Sequence, residues 1–335
     1  MPTDYNFIVF INNISTQMSR YVLLFTFLFG IMGNVLNILV FSQRSFRSNP
    51  CAICFLYASV SNLTAILSGV TSRMLNGWSV DLTNTNRFIC KFRSYILNVA
   101  RPIAFWLILL AIIDRWLVSS TNIHYRQIST MKNAVRSIIM VVIFAIILFS
   151  HIIYCYEPNM INTPLQCYGS TIACQLVSGI LFTFVTIFIP VLLMLIFGLM
   201  TINNIRHVKG RIQHVDISIG ETQGLSQTRQ RHGLKKMDYR MFIMLFAQIL
   251  LLFIFGLPLG IEKLYETITI NRSKTKSQIA ITNFVYNFVL LLNFLANGMP
   301  FYIYTLFGGT EFRKALFKIF SAVKHKIFNI GKIFH

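Results

Sequence analysis

Few residues of this 335-residue chain could do chemistry, because only 12% of them are charged. Three charged residues stand out by their surroundings: Arg101 interrupts a long apolar stretch, and the adjacent pair Asp114 and Arg115 ends it. A charge at such a place is costly unless it is paired, and it usually has a function. Asp114 and Arg115 could form an ion pair, and Arg101 could bind a carbonyl group or an anion.

No arrangement of residues predicts catalysis or a bound metal. No set of His, Cys, Asp and Glu has the spacing of metal ligands, no paired carboxylates lie within an apolar stretch, and no Gly-rich phosphate loop is present. His151 lies within an apolar stretch, where a hydrogen-bonded core residue is more common than a metal ligand. We therefore expect a protein that is not an enzyme and has no cofactor.

The elements that position these residues are membrane-spanning helices. The chain is 55% hydrophobic and has a mean hydropathy of +0.63. Its charged share of 12% is half of the share in a soluble domain, which is about 25%. A helix needs about 20 apolar residues to span a bilayer core. Stretches of that length without Asp, Glu, Lys or Arg run over 21–43, 48–72, 137–156, 158–205, 241–261 and 277–310, and only Arg101 breaks 94–113. The longest of these stretches holds a polar loop and one helix. We predict an all-α membrane protein, a bundle of seven transmembrane helices in one domain over residues 21–306.

The basic residues predict the orientation of the chain. The formal net charge is +20, but the distribution of Lys and Arg indicates a membrane protein and not a nucleic-acid-binding one. The segments 43–50, 114–136, 206–240 and 311–335 together hold 20 of the 30 Lys and Arg residues. This set belongs in the cytoplasm, so we expect a plasma membrane protein with residues 1–20 outside and the carboxyl terminus inside. Asn13, in the sequon Asn13-Ile14-Ser15, then lies where it can be glycosylated.

Two inner segments have different patterns. Residues 206–236 are rich in Gln, Gly, Ser and Arg without periodicity, so we expect a mobile loop. Within 307–335, Lys and Arg alternate with apolar residues at helical spacing, which predicts an amphipathic helix on the inner surface, attracted by anionic membrane lipids. The apolar residues are Phe312, Ala315, Leu316, Ile319, Phe320 and Val323.

Amide and proline residues recur inside the predicted spans. Asn34 and Asn62 lie in the first and second spans, and Pro190, Pro258 and Pro300 lie in the fifth, sixth and seventh. Buried amides need partners within the bundle. Proline is tolerated in a transmembrane helix where neighbours satisfy the freed carbonyl, so the three prolines predict helices that bend.

The order of these features resembles the rhodopsin-like (class A) family of G-protein-coupled receptors over roughly residues 20–323. Asp114-Arg115-Trp116 is similar to the family's Asp-Arg-Tyr motif, and Cys90 precedes Arg115 by 25 residues, as in the family. Cys167 stands where the second outer loop of the family supplies the other half-cystine. Further similarities are Gly33-Asn34 in the first helix and the prolines Pro190, Pro258 and Pro300.

The chain departs from the family pattern at several positions. Asn62 replaces the aspartate of helix two, and Gly256 replaces the tryptophan two residues before Pro258. In helix seven, Met299 stands where the family's Asn-Pro-x-x-Tyr motif has its asparagine, although Asn297 is close by. The chain is similar in style to invertebrate peptide receptors of the FMRFamide-like kind, as a divergent member.

The resemblance implies a disulfide between Cys90 and Cys167 on the oxidising outer face; Cys155 and Cys174 could form a second pair. It also implies that Asp114 holds Arg115 in the silent receptor. When helix six swings outward, Arg115 turns to a heterotrimeric G protein. Arrestin is a further expected partner.

Other membrane functions fit less well. An opsin needs a lysine in the seventh span for its Schiff base, and residues 277–310 contain none. A transporter would show more charged residues along its path than Arg101 alone. Activation of a G protein by an extracellular ligand is the function that the sequence favours.

The ligand prediction depends on the outer ends of the spans. Amine receptors of the family carry an aspartate at the position of Leu97, which argues against a small amine. Glu157, Glu262 and Glu266 lie near the predicted outer mouth, as does Asp81, and this setting favours a short basic neuropeptide. Glu262 and Glu266 share one helical face, although neighbouring Lys and Arg residues could neutralise them. A lipid or other small molecule is the alternative ligand.

Arg101 has two open interpretations. It lies eleven residues, or about 16 Å of helix, below Cys90, which is the depth of a ligand pocket. It either faces the cavity and contacts the ligand, or it pairs internally with Glu262 or caps carbonyls freed at Pro102.

Overall fold

The computed structural model describes residues 2–78, 80, 82–160, 165–218, 225–269, 275–307, 312–321 and 324, with the backbone alone at 2–4, 82 and 207–242. Seven helices in these ranges are long and apolar enough to cross a membrane. They are Tyr5–Phe41, Pro50–Gly77, Arg87–Ser119, Met131–Cys155, Ile172–Arg206, Ile243–Ile268 and Lys276–Gly298. The predicted all-α seven-helix bundle is confirmed.

The helices are α1 (Pro2–Gln17), α2 (Leu23–Phe41), α3 (Arg44–Arg47), α4 (Pro50–Gly77), α5 (Arg87–Ser119), α6 (Ile123–Ile128), α7 (Met131–Leu148), α8 (His151–Cys155), α9 (Ile172–Ile180), α10 (Ile189–Ser218), α11 (Leu225–Ile268), α12 (Lys276–Gly298) and α13 (Pro300–Phe307). π-helices at Met18–Val22 and Leu181–Phe188 join α1 to α2 and α9 to α10, and a 3₁₀ turn spans Leu82–Asn84. Two short antiparallel strands, β1 (Tyr156–Glu157) and β2 (Tyr168–Gly169), pair Tyr156 with Gly169.

The third span, α5, lies at the centre of the bundle and carries five of the predicted site residues, Cys90, Leu97, Arg101, Asp114 and Arg115. It packs against α4, α7 and α10. Leu107, Ile108 and Leu109 are consecutive and all buried, so most of the helix surface at this depth packs against other spans. The Asn86 side chain accepts a hydrogen bond from the Ile89 N–H and caps its outer end.

The first span begins earlier than the sequence predicted. The expected extracellular segment 1–20 is helical from Pro2 and continues through the π-helix into α2. It packs against α12, where Asn287 Nδ2 donates a hydrogen bond to Ser15 Oγ at 3.1 Å. Arg20 Nε donates to the Gly77 carbonyl at 2.6 Å. These contacts anchor the segment, and Asn13 lies exposed on it.

The inner ends of the fifth and sixth spans are also longer than predicted. α10 continues to Ser218 and α11 begins at Leu225, so the backbone is helical over most of the expected loop 206–236. An established helix propagates at the gain of one hydrogen bond per residue. The lack of apolar periodicity in this segment therefore did not prevent a helix.

The three prolines lie at different kinds of helix irregularity. Pro190 follows the π-helix at the start of α10, Pro258 lies inside α11, and Pro300 begins α13 after a break at Met299. π-helices and prolines are the usual causes of bends. The fifth, sixth and seventh spans each contain one.

The predicted amphipathic helix is present at residues 312–321. Phe312 and Ala315 are buried, and Phe312 lies with its ring 5.7 Å from that of Phe41. Arg313 donates from Nε to the Thr305 carbonyl at 2.9 Å, which joins this helix to α13. Phe320 is 52% exposed, as expected of a side chain that faces lipid.

Candidate functional site

A cavity lies among the third, fifth, sixth and seventh spans, beneath the β-hairpin, with Arg73 of the second span at its side. It lies at the end of the bundle that the sequence predicts to face outward, and we name it the outer cavity. About 680 Å³ of space lies between the lining residues, and part of this space is open to solvent. Two disulfides hold the segment that forms its roof, Cys90–Cys167 and Cys155–Cys174. Both expected pairings are therefore present, and Cys51 and Cys54 of the second span belong to neither disulfide.

Arg101 lines this cavity and is only 5% exposed. Its guanidinium carbon lies 4.5 Å from the ring centre of Phe294 and 5.7 Å from that of Phe182. Among the described residues, its Nε and Nη2 have no hydrogen-bond partner. These two nitrogens therefore neither pair with Glu262 nor cap carbonyls at Pro102. Of the two interpretations of Arg101, the structure agrees with the one in which it faces the cavity.

Lys263 reaches the cavity from the sixth span and is held by three groups. Its Nζ lies 3.2 Å from Glu266 Oε2, and it donates a hydrogen bond to the Tyr168 hydroxyl. The same nitrogen lies 4.5 Å from the ring centre of Tyr286. Burial raises the pKa of Tyr168 well above its ordinary value, so its hydroxyl stays neutral and donates to Glu266 at 3.1 Å.

Two further arginines line the cavity. Arg73, at the outer end of the second span, is 7% exposed and donates from Nη1 to Asn287 Oδ1. Arg93, on the third span, donates from Nε to the Ser68 carbonyl at 3.0 Å. Together with Arg101 and Lys263 they give the cavity wall four cationic side chains.

The acidic residues predicted to receive a cationic ligand lie elsewhere. Of the described carboxylates, neither Glu157, Glu262 nor Glu266 lines the cavity. Glu157 pairs with Arg87 at 2.7 Å and Lys91 at 2.9 Å, and these hydrogen bonds hold its pKa below the usual range. Glu262 is 6% exposed, so it is turned into the bundle and away from the outer surface.

This placement corrects the expected open pair of carboxylates on the sixth span, because Glu266 already holds Lys263. The neutralisation that the sequence left open is the arrangement found for Glu266. Asp81 lies outside the described residues. Leu97, the position at which amine receptors carry an aspartate, is a buried apolar residue of the cavity wall.

At the inner end of the same helix, Asp114 and Arg115 form an ion pair. Arg115 Nη2 lies 2.6 Å from Asp114 Oδ2 and also donates to Asn49 Oδ1 at 3.1 Å. Ser129 donates a hydrogen bond to the other carboxylate oxygen of Asp114. Asp114 is 8% exposed. This is the paired arrangement that the resemblance implied for a silent receptor, and it ties the third span to the second span and to the loop after α6.

The polar core between these two ends joins the first and seventh spans. Asn34 Nδ2 donates to the Gly30 carbonyl at 2.8 Å and to the Asn297 carbonyl at 3.1 Å. A Cβ atom added to Gly298 would lie 3.0 Å from Gly30 Cα, so glycine is needed where the two helices approach so closely. Asn62 is also buried in this region of the bundle.

His151 has the partners of a structural residue. Its Nδ1 lies 3.0 Å from the Leu148 carbonyl oxygen and its Nε2 lies 3.3 Å from Ser178 Oγ, which ties the fourth span to the fifth. The structural role expected for it is confirmed. In the part of the chain that the structure describes, no three His, Cys, Asp or Glu side chains are grouped to hold a metal ion.

The bundle, its roofed outer cavity and its buried inner Asp-Arg pair define a seven-transmembrane receptor. Residues 33–304 match the family model described as 7 transmembrane receptor (rhodopsin family). The chain belongs to this family and is a multi-pass plasma membrane protein. Comparison with curated proteins gives no significant match. The likeness to FMRFamide-like receptors stays a prediction.

Several residues of the cavity wall were not predicted as site residues, among them Arg73, Arg93, Lys263 and Tyr286. Arg73 and Lys263 lie at helix ends and were counted with the outer connecting segments, and Tyr286 carried no signal that separates it from packing aromatics. The signal in the sequence that could have indicated Arg73 and Lys263 is the basic charge of the outer segments. Nine Lys and Arg residues lie in the outer segments, and the structure turns some of them inward.

Proposed function

We propose that the chain is a receptor that binds an extracellular ligand in the outer cavity and then activates a heterotrimeric G protein. In this proposal the amino terminus lies outside and the carboxyl terminus inside, as the distribution of Lys and Arg favours. Arrestin binds the same inner face. Asn13 is a glycosylation site on the exposed face of α1.

The observation that carries the proposal is the placement of two arginines on one helix. Arg101 faces the outer cavity and Arg115 is paired at the inner end. Fourteen residues separate them, which is about 21 Å of α-helix. A shift of the third span caused by a ligand at Arg101 therefore acts directly on the contacts of Arg115.

The inner pair has the properties of a latch. Arg115 has hydrogen-bond partners on its own helix and on Asn49 next to the second span, and Asp114 is held by Ser129. When the sixth span moves, Arg115 exchanges these partners for acceptors on the G protein. Such a switch needs two arrangements that differ by only a few kcal/mol.

The proline-containing spans supply the movement. Pro258 lies inside α11, and Gly256 stands beside Phe105, whose ring lies 3.8 Å from the place a Cβ would take. The bulky tryptophan of the family is missing here, so Phe105 of the third span occupies the contact. Movement of Phe105 with its helix is the proposed link from the cavity to the sixth span.

The ligand class proposed from the sequence was a short basic peptide, with a lipid or other small molecule as the alternative. The cavity opens beneath the hairpin, so a peptide could enter it from outside and place one end in it. Its basic character has less support, because Glu157 and Glu266 are already paired with cations of this chain. We therefore propose a peptide-sized ligand and treat its charge separately below.

The test is a screen of peptide and lipid libraries on cells that express the chain, read by both calcium and cyclic AMP. Arg115→Ala should abolish the response to any agonist while surface expression and ligand affinity stay within several-fold of wild type. Arg136→Ala, which removes an exposed arginine from the fourth span, is the matched control and should respond normally. An agonist response that survives Arg115→Ala would contradict the proposed mechanism.

A further inference from the structure

The charges that line the outer cavity are unbalanced. Its wall contains the side chains of Arg73, Arg93, Arg101 and Lys263 and, within the described residues, no Asp or Glu. Glu266 compensates Lys263 from outside the lining. Clefts that carry one sign of charge between low-dielectric walls concentrate ligands of the opposite sign. The cavity therefore attracts negative charge.

Arg101 is the most informative of these cations because it is the most deeply buried. It is 95% shielded from solvent, and within the described part of the chain its Nε and Nη2 donors have no acceptor. Its neighbours are the faces of Phe182 and Phe294. Cation–π contacts offset only a part of the cost of burying a charge. An oxyanion would satisfy both open donors.

The geometry of the guanidinium group specifies what would bind it. Arginine presents its N–H donors as a planar fork that matches two oxygens of a carboxylate or phosphate. Leu97, Leu290 and Phe294 line the same cavity and are apolar, and the Phe294 ring lies against the fork. A ligand that fits has an acidic group attached to an apolar or aromatic body.

We propose that the ligand of this receptor carries a carboxylate or phosphate group that binds Arg101 inside the cavity, with Arg73 and Lys263 adding to the attraction. This inference rests on the proposed function, since it names the chemistry of the ligand at that same cavity. A peptide would bind with a free carboxyl end or an acidic side chain directed at Arg101. An amidated carboxyl terminus would not supply the group.

The experiment measures thermal unfolding of the purified full-length receptor in detergent with paired probes. Octanoate and octanamide represent a fatty acid and its neutral analogue, N-acetylphenylalanine and N-acetylphenylalaninamide represent a peptide end, and inorganic phosphate represents a bare anion. A ligand that binds only the folded state raises the unfolding midpoint. We expect each acid that fits to raise it by a few degrees and its amide to have no effect.

Substitutions then locate the effect. Arg101→Gln should remove the stabilisation by acids, and Arg87→Gln should keep it, because Arg87 pairs with Glu157 outside the cavity. Without a probe, Arg101→Gln should unfold at the wild-type temperature or above, since it removes a buried charge whose Nε and Nη2 have no acceptor among the described residues. If Arg101→Gln cannot be purified, Arg101→Lys should weaken the acids at least fivefold because it loses the fork.

The outcomes divide clearly. The pair of probes that works identifies the source of the acidic group, a fatty acid or a peptide end. Equal stabilisation by acids and amides, no stabilisation by any acid, or acids that act equally on Arg101→Gln overturn the inference. Ligand-independent signalling of Asp114→Asn tests the receptor function without any ligand. If this signalling rises while the acidic probes fail to stabilise the receptor, the proposed ligand chemistry is wrong and the proposed receptor function stands.

Discussion

Two arginines of the third span have opposite surroundings. Arg115, at the inner end, is paired with Asp114 at 2.6 Å and bonded to Asn49. Arg101, in the outer half, has aromatic neighbours and two donors without acceptors in the described structure. A charge whose partner belongs to the same chain can act as a latch, whereas a charge without one needs its partner from outside. The inner end of this helix thus suits an ion pair that is released on activation, and its outer half suits the binding of a ligand.

The largest expected effect concerns the roof of the outer region. Cys90→Ser or Cys167→Ser opens a loop of 77 residues in sequence, which costs about 4 kcal/mol in the loop-entropy model. We expect most of the receptor to be lost from the cell surface, measured by flow cytometry with an amino-terminal tag. Cys155→Ser opens a 19-residue separation and should cost about 3 kcal/mol. The control is Cys54→Ala, a substitution of a cysteine outside both disulfides. Normal surface levels and responses in both Cys90→Ser and Cys167→Ser would show that this bond does not hold the roof.

The next effect would break the inner half of the comparison. Asp114→Asn removes the charge that holds Arg115 while it keeps the size of the side chain. We expect ligand-independent G-protein activation to rise several-fold, because the active arrangement is only a few kcal/mol away. The measurement is an energy-transfer sensor for G-protein dissociation at matched surface expression. Arg136→Ala, which removes an exposed arginine of the fourth span, should leave this basal signal unchanged. A basal signal in Asp114→Asn equal to that of wild type would mean that the ion pair is not the latch.

A smaller effect would sharpen the outer half. Glu266→Gln removes the partner of Lys263 and leaves a further cation facing the cavity. The affinity for an acidic probe such as octanoate should rise about two- to fivefold, a change on the scale of one partly exposed ion pair. Glu157→Gln, whose partners lie outside the cavity, should not change it. If instead both substitutions weaken a cationic peptide agonist, the basic-peptide prediction is correct and the acidic one is not.

The smallest expected effect is that of sodium on the polar core between the two ends. Asn62 stands in place of a carboxylate, and Ala104 and Met299 offer no side-chain oxygen nearby. A dehydrated cation without a carboxylate is very unfavourable at this depth. Exchange of sodium for an equal concentration of N-methylglucamine should move the unfolding midpoint by less than about 1 °C. A clear loss of stability on this exchange would reveal a cation site.

Much of the architecture was predictable because membrane insertion depends on local sequence. Each span needs about 20 apolar residues and the loops carry the basic charge, so the number of spans followed from the charge-free stretches. The ends of helices were less predictable. α1 extends to Pro2 because it packs against α12, and α10 extends to Ser218; neither extension has an apolar periodicity of its own.

The sequence by itself determined that the chain spans a membrane seven times and that Asp114 can pair with Arg115, because the pair is adjacent on one helix. It also placed Arg101 at pocket depth, because depth along a helix is counted in residues. Only the tertiary structure decided the partners of these charges. Arg73, Lys263 and Tyr286 come from three different helices, and the crossing of those helices brings them to one cavity. The pairing of Glu266 is different, because it lies three residues from Lys263 on one helix and spacing alone brings the two together. Which way Lys263 and Arg101 face was decided by how the helices rotate and tilt against each other, and residue spacing within one helix carries no record of that.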